Sequence, residues 1–328
     1  MNKYNTIAPI GTDMGHAQQL LASGGVVAMP TETVYGLASN AYDPQAVSQV
    51  FAIKQRPSFD PLIVHVDSVT HAQAFTAPWP EAALELAQRF WPGPLTLVLQ
   101  KKSLIPDIVT SGLCSVGVRT PQHPLALSLL QQLPFPLAAP SANPFGYISP
   151  TTPQHVQQQL GRHIPYILDG GACAVGLEST IVGFAQGQPV VHRLGGISLE
   201  AIEAVVGPVS MAVQSPGALP TAPGGLSSHY APTKSLQLGD LDRLLMQYAT
   251  QQVGVLAFDR LCPQVDAEHQ VVLSPSGSLV EAAQRLFAAL RTLDALPIDI
   301  ILATPVPDTG LGRAINDRLG RASSRISK

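Results

Sequence analysis

The chain reads as an α/β protein of two domains, and three observations predict this. Its 328 residues exceed the roughly 100–200 of an ordinary domain. A Pro-, Gly-, Ser- and Ala-rich stretch with few charges and no sustained period interrupts it. Short apolar strands and amphipathic helices mix on both sides of that stretch. The predicted division is a domain at 1–207, a linker at 208–235 and a second domain at 236–328.

In the first domain residues 25–30 (GVVAMP) form a buried-type strand. Residues 44–53 have helical spacing at Ala46, Val50 and Ile53, and 62–66 form a second strand. Residues 81–90 place Ala83, Leu86, Ala87 and Phe90 on one helix face, and Pro92 stops that helix. Strands follow at 95–99 and 115–119, a helix at 124–133, and strands at 166–169 and 179–184. The alternation is irregular, which predicts a mixed sheet.

The second domain is simpler. Residues 253–258 form a buried strand, 278–296 the strongest helix, 299–303 a strand and 311–321 a helix. Ser278 with Glu281 has the capping-box spacing, Leu279, Ala283, Leu286, Leu290 and Leu293 make one apolar stripe, and Pro297 ends the helix. This order predicts a small parallel-sheet α/β domain.

Apolar residues are 45% of the chain and charged residues only 12%, against a usual ~25%. With 19 Lys and Arg against 22 Asp and Glu, the net charge of −3 gives no global attraction to phosphate polymers. A basic nucleic-acid coat and a coiled coil are excluded. Cys114, Cys173 and Cys262 are far apart, so no zinc or disulfide framework is expected, in keeping with a reducing, cytoplasmic setting. No apolar run reaches ~18 residues, and the N-terminus has no leader signature. Walker A, G-x-G-x-x-G, H-E-x-x-H and G-x-S-x-G patterns are missing, so a nucleotide would need an unconventional site.

Five motifs remain, each with a bland reading. Pro30-Thr31-Glu32-Thr33-Val34-Tyr35-Gly36-Leu37 follows the first strand as a ligand-bearing turn, or as a turn plus helix cap. Lys54-Gln55-Arg56-Pro57, with Asp60-Pro61-Leu62-Ile63-Val64-His65, can clamp a polyphosphate, or be a solvated basic turn. Arg119 at a strand end is a carboxylate or phosphate fork, or a surface ion pair. Ala138-Ala139-Pro140-Ser141-Ala142-Asn143, with Ser149 beyond, lets backbone and hydroxyls approach a ligand, or is an Asx-turn. Glu178-Ser179-Thr180-Ile181-Val182 with His192-Arg193-Leu194-Gly195-Gly196 suits a phosphate or ribose, or is a hairpin turn. Converging, they would make one concave anion site working by positioning and charge stabilisation, with no assigned nucleophile or base.

In order and spacing these motifs resemble the YrdC-type L-threonylcarbamoyladenylate synthases in their long, two-domain form. The resemblance extends over residues 15–205, over Ala222-Pro223-Gly224-Gly225-Leu226-Ser227-Ser228-His229-Tyr230-Ala231-Pro232, and over the ending GLGRAINDRLGRAS. It implies a twisted mixed sheet with a deep basic cavity, plus a smaller Rossmann-like C-terminal domain. It implies a nucleotidyltransferase making threonylcarbamoyl-AMP and pyrophosphate from L-threonine, bicarbonate or CO2, and ATP. The product would pass to a tRNA threonylcarbamoyl transferase complex for N6-threonylcarbamoylation of adenosine 37. By the same resemblance Thr33, His65, Arg119, Ala139 and Ser179 would bind L-threonine. Lys54, Arg56, Asp60, Ser115, Ser141, Asn143, Ser149, Arg193 and Tyr230 would bind ATP. Mg2+ would ride on the phosphates rather than in a protein cage, with Asp60 as the one candidate ligand. A weak tRNA contact fits the same reading; a membrane does not.

This sequence departs from the family pattern at Asp60, usually Asn, at Ser115, often Thr, and at Gly225-Leu226-Ser227-Ser228, where the family linker carries basic residues. The alternatives are a carbamoyl-adenylate enzyme of another pathway and a double-stranded RNA or tRNA-binding module.

Overall fold

The computed structural model describes residues 6–212 and 229–324. Most of the expected linker, 213–228, lies outside the described residues, and with it the Gly225–Ser228 departure. The chain divides into two compact units. The first takes described residues up to Phe145, Pro150–Ala174 and 178–212; the second takes Gly146–Ser149, Val175–Leu177 and 229–324.

The first unit runs β1 (Ile10–Gly11), α1 (Met14–Ala22), β2 (Val27–Met29), β3 (Gly36–Asn40), α2 (Pro44–Lys54), β4 (Ile63–His65), α3 (Val69–Phe75) and α4 (Glu81–Phe90). It continues with β5 (Leu95–Gln100), α5 (Asp107–Thr110), β6 (Ser115–Arg119), α6 (Pro124–Gln132), β7 (Leu137–Ala138) and α7 (Pro153–Leu160). It ends with β8 (Ile167–Leu168), β9 (Thr180–Ala185), β10 (Gln188–Arg193), α8 (Leu199–Val206) and β11 (Ser210–Met211). The strands form one mixed sheet, ordered β1-β8-β2-β3-β7-β4-β6-β5-β9-β10-β11. Each strand predicted in this unit is present. The segment after β2 is a turn leading into antiparallel β3, not a helix cap.

Side-chain alternation divides the work of the sheet's two faces. Leu95, Leu97, Leu99, Val182 and Val191 pack with Ala83, Leu86 and Ala87 of α4 and Ile202 of α8. Val64, Val116 and Val118 join a core with Val47, Val50 and Phe75 from α2 and α3. The alternate positions face the other way, where Ile63, Val98 and Ile181 form a small apolar floor. His65, Thr96 and Arg119 have the same parity as that floor.

The second unit runs β12 (Ser235–Leu238), α9 (Leu241–Gln247), β13 (Val253–Ala257), β14 (Gln270–Val272), α10 (Leu279–Ala295), β15 (Ile300–Ala303) and α11 (Gly312–Ser323). Its sheet is parallel throughout, in the order β12-β15-β13-β14. β12, α9 and β14 add to the sequence reading. Ala283, Leu286, Leu290 and Leu293 of the predicted α10 stripe are buried. The capping box is half formed. Ser278 Oγ accepts from Glu281 N at 3.3 Å. The Glu281 carboxylate is instead taken by the hydroxyls of Ser274 at 2.6 Å and Ser276 at 2.9 Å. Ser278 N then donates to Ser274 Oγ.

Asp294, near the end of α10, gathers four donors. Tyr147 Oη donates at 2.6 Å, Thr233 N at 3.1 Å, Thr233 Oγ1 at 2.8 Å and Lys234 N at 3.0 Å. Burial alone would raise its pKa, but the Tyr147, Lys234 and Thr233 hydrogen bonds hold it below the usual carboxylate range. Asp294→Ala would orphan these groups and is expected to cost about 3 kcal/mol, read by urea unfolding of the full chain. Among the described residues, no helix is long and apolar enough to cross a membrane.

Candidate active site

The turn between β2 and β3 is built by a hydroxyl. Thr31 Oγ1 accepts from Thr33 N and Val34 N, each at 3.2 Å, and donates to Val34 O at 2.6 Å. A second contact of 2.8 Å joins it to Thr33 Oγ1. Gly36 then lets β3 pass close to the 139–141 segment: a Cβ there would meet Ala139 Cβ at 3.2 Å. Leu37 N donates to Pro140 O, and Gly36 forms a bridge with Ser141. The turn thus leads into a strand whose first residues lie against Ala139, Pro140 and Ser141.

Arg119, at the end of β6, is 3% exposed. Its Nη1 donates to Thr33 Oγ1 at 2.9 Å and its Nε to Gly93 O at 3.1 Å. Its Nη2 lies 2.6 Å from Glu32 Oε1 in ion-pair contact, without hydrogen-bond alignment. His65 is its register partner across β4 and β6.

Burial, and then the Arg119 charge, push the His65 pKa down to about 3. The folded chain therefore holds His65 neutral at ordinary pH. An unfolded His titrates near 6.5. Below that pH the unfolded chain therefore binds a proton that the folded chain refuses. Stability is full above about 6.5 and falls as pH drops towards 3, by about 2 kcal/mol at pH 5 from this group. His65→Gln is expected to flatten that part of the profile, read as the difference between the two proteins' pH–stability curves.

A second cluster surrounds Asp60. Arg56 Nε donates to Asp60 O at 2.9 Å and Arg56 Nη2 to Pro61 O at 2.8 Å, while Nη2 is 3.0 Å from Asp60 Oδ2. The Asp60 pKa is raised by burial, against the opposing charges of Arg56, Lys54 and Arg193. Three basic groups thus stand near one carboxylate. Lys54, at the end of α2, is 1% exposed, and its Nζ donates to Ser141 O at 2.5 Å and Asn143 O at 2.6 Å. Burial, then the charge of Arg56, lower its pKa well below the usual value. Asn143 Nδ2 donates to Pro144 O at 2.9 Å.

Arg193, at the end of β10, donates from Nη2 to Ser179 O at 2.9 Å and Ser179 Oγ at 3.2 Å. Ser179 Oγ also meets Thr96 Oγ1 at 2.7 Å. The glycine after this strand is needed for close approach, since a Cβ on Gly195 would lie 2.3 Å from Glu178 O.

Of the residues expected at the site, Thr33, His65, Arg119, Ala139, Ser141, Ser179 and Arg193 come together at strand ends and adjoining turns. Lys54 braces the 141–145 segment, which carries Asn143, and Arg56, paired with Asp60, lies over the Phe145 ring at 5.9 Å. Ser115 shares the sheet face of Arg119 but starts the same strand, four residues away, or about 13 Å at ~3.3 Å per residue. It lines a separate cavity of about 300 Å3 with Val98, Gly183 and His192. Ser149 and Tyr230 belong to the second unit. There the Tyr230 ring stacks on Phe287 with centroids 5.6 Å apart, under the Arg318 guanidinium at 5.1 Å. The residue reading gave no role to Glu32 or Thr96. The signal for Glu32 was its rarity, an acidic residue inside a motif of a charge-poor chain. Thr96 had no signal beyond its place in an apolar strand. Among the described residues, no group of three His, Cys, Asp or Glu side chains is placed to hold a metal ion.

The fold and site define a class: a mixed-sheet α/β protein that gathers Arg119, Arg193 and hydroxyls at strand ends, with a buried lysine at a helix end beside them. Residues 19–195 match the Sua5/YciO/YrdC family model described as telomere recombination. Residues 197–324 match the model of the threonylcarbamoyl-AMP synthase C-terminal domain. The chain is 40% identical to a threonylcarbamoyl-AMP synthase of Bacillus subtilis, covering 94% of this chain and 92% of that one. It is 39% identical to that of Pyrococcus abyssi, over 95% and 94%. The crystal structure of P. abyssi Sua5 complexed with L-threonine superposes with a TM-score of 0.88 at 37% identity, over 97% of this chain and 98% of that one. The chain belongs to the threonylcarbamoyl-AMP synthase family, in its two-domain form.

Proposed function

We propose that the protein is an L-threonylcarbamoyladenylate synthase, converting L-threonine, bicarbonate or CO2, and ATP into threonylcarbamoyl-AMP and pyrophosphate. The observation that carries this is two buried devices flanking the short strand β4: Arg119, held by Thr33, in register with its last residue His65, and three basic groups around Asp60, just before its first. The first suits an amino-acid carboxylate. The second suits phosphates. The second family model favours this reading over a carbamoyl-adenylate enzyme or an RNA-binding module, because its description names the threonylcarbamoyl-AMP synthases.

In this reading Thr33, His65, Arg119, Ala139 and Ser179 hold L-threonine in a deep basic cavity. Arg56, Arg193, Ser141 and Asn143 face the phosphates, and Lys54 fixes their loop. Ser115 holds the nucleoside end farther along the same sheet face. The threonine ammonium loses a proton to solvent, and the free amine bonds to the carbon of CO2 and releases a second proton to give a carbamate. A carbamate oxygen attacks the α-phosphorus, the bond to the β-phosphate oxygen breaks, and pyrophosphate leaves. Both reactants are anions, so the protein's contribution is charge screening, alignment and exclusion of water. Mg2+, riding on the phosphate oxygens, would supply further screening. Asp60 is engaged by Arg56, and we read it as setting that guanidinium.

The four-stranded parallel sheet of the second unit we read as Rossmann-like and as an anchor for the linker. The product would pass to a tRNA threonylcarbamoyl transferase complex for N6-threonylcarbamoylation of adenosine 37, with at most a weak tRNA contact here, in the cytoplasm.

Pyrophosphate release from ATP tests the proposal: release should require both L-threonine and bicarbonate. Release indifferent to L-threonine from folded protein would refute it. Asp60→Asn keeps the side-chain shape and removes a negative charge from the phosphate side. It is expected to leave the rate intact or to raise it, with a lower KM for ATP; a collapse of activity would assign Asp60 to the metal.

A further inference from the structure

We propose that Glu32 is a positioning residue, whose buried carboxylate holds the Arg119 guanidinium in the orientation that receives the substrate carboxylate. The inference rests on the threonine-binding reading of Arg119 and goes beyond it.

Glu32 is 5% exposed and Arg119 3%. The guanidinium is held along three edges: Nε on Gly93 O, Nη1 on Thr33 Oγ1, and Nη2 against Glu32 Oε1 at 2.6 Å. Guanidinium has five N–H bonds, so by count each terminal nitrogen keeps one beyond these contacts, the number a bidentate carboxylate uses. Glu32 is itself fixed. Its Oε2 accepts from Gln122 N at 3.1 Å, which ties the β2–β3 turn to the segment just past Arg119. Thr33 and Glu32 come from one turn, so that turn supplies two of the three restraints. A buried guanidinium without a counter-charge would be costly and would turn towards other acceptors. Glu32 offsets the charge without using the whole fork.

Glu32→Gln keeps the shape and the acceptor for Gln122 N while removing the charge. Full-length Glu32→Gln, Arg119→Gln and the double variant are compared by calorimetric titration with L-threonine and with ATP, alongside thermal unfolding. Glu32→Gln is expected to weaken L-threonine roughly 10-fold and ATP less than about 2-fold. Added to Arg119→Gln it should weaken L-threonine no further, because it acts through that arginine. Glu32→Asp keeps the charge one methylene short and should fall between wild type and Gln; it stands in if the Gln variant does not fold. Unchanged or tighter L-threonine binding, equal loss of both ligands, or additive losses in the double variant would overturn the inference. If Arg119→Gln itself leaves L-threonine binding intact, the reading of Arg119 fails and this inference with it. If Arg119→Gln loses L-threonine and Glu32→Gln does not, the Glu32 inference alone fails.

Discussion

Arg119→Gln is expected to lower kcat/KM for L-threonine at least about 100-fold, with a much smaller effect on ATP affinity. Removing one partner of a buried, hydrogen-bonded charge pair costs on the order of 2–5 kcal/mol at a binding site. Here the truncation removes a group beside Thr33 that offers paired N–H donors and a full positive charge. It also leaves Glu32 buried beside Thr33 with no counter-charge. That leftover charge should cost about 3–5 kcal/mol of folding stability. The double variant with Glu32→Gln should recover part of that stability while recovering none of the L-threonine affinity. Arg119→Lys keeps the charge, but a point ammonium cannot reach Gly93 O, Thr33 Oγ1 and Glu32 together. It should fall between wild type and Gln in both stability and threonine kinetics. Steady-state kinetics with each substrate varied separately, with thermal unfolding of each variant, checks the whole set.

Lys54→Met is expected to destabilise the first unit by about 3 kcal/mol and to disorder the 141–145 segment. The lysine is buried with its Nζ on Ser141 O and Asn143 O, and its own carbonyl accepts from Phe145 N. Neutral or charged, the nitrogen has N–H bonds for both acceptors. Methionine fills the volume but takes the Nζ donor from Asn143 O and from Ser141 O, the latter keeping Asn143 N at 3.0 Å. The functional loss should follow the structural one, because Ser141 and Asn143 sit on the released segment. Hydrogen exchange at 141–145 should rise well before the rest of the unit opens, and the KM for ATP should rise with it. Protection at 141–145 equal to wild type would show that Lys54 does not hold this segment.

The strand pattern was largely legible because these strands are short, apolar and bounded by Gly and Pro. β4, β5, β6 and β9 fall where the alternating residues place them, and their parity explains why His65, Thr96 and Arg119 share a face. β3 was not legible. Its GLASN has no β-branched residue, and the Thr-rich turn before it carries hydroxyls that suit a helix cap equally well. In the structure Thr31 spends its hydroxyl closing the reversal. The short helices α1, α3, α7 and α8 were missed although Asp13, Ser68, Thr152 and Ser198 cap them. Seven to nine residues are too few for an apolar stripe to separate from chance. At the candidate site, residue type and spacing marked groups that the fold buries near one another, but not their partners. Arg56, Arg119 and Arg193 read either as ligand cations or as a solvated turn, a surface ion pair and a hairpin turn. The fold instead gives each a protein partner, Asp60, Glu32 and Ser179, and that pairing depends on strand register and turn geometry.

The most direct test of the central claim follows carbon rather than phosphate. Labelled bicarbonate, ATP and Mg2+ are incubated with the protein, with and without L-threonine, and the nucleotide products are separated. The account predicts label in an adenylate that also contains threonine, formed in step with pyrophosphate, lost when L-threonine is omitted and lost in Arg119→Gln. Label in an adenylate without threonine, or pyrophosphate release with no label in any adenylate, would contradict it.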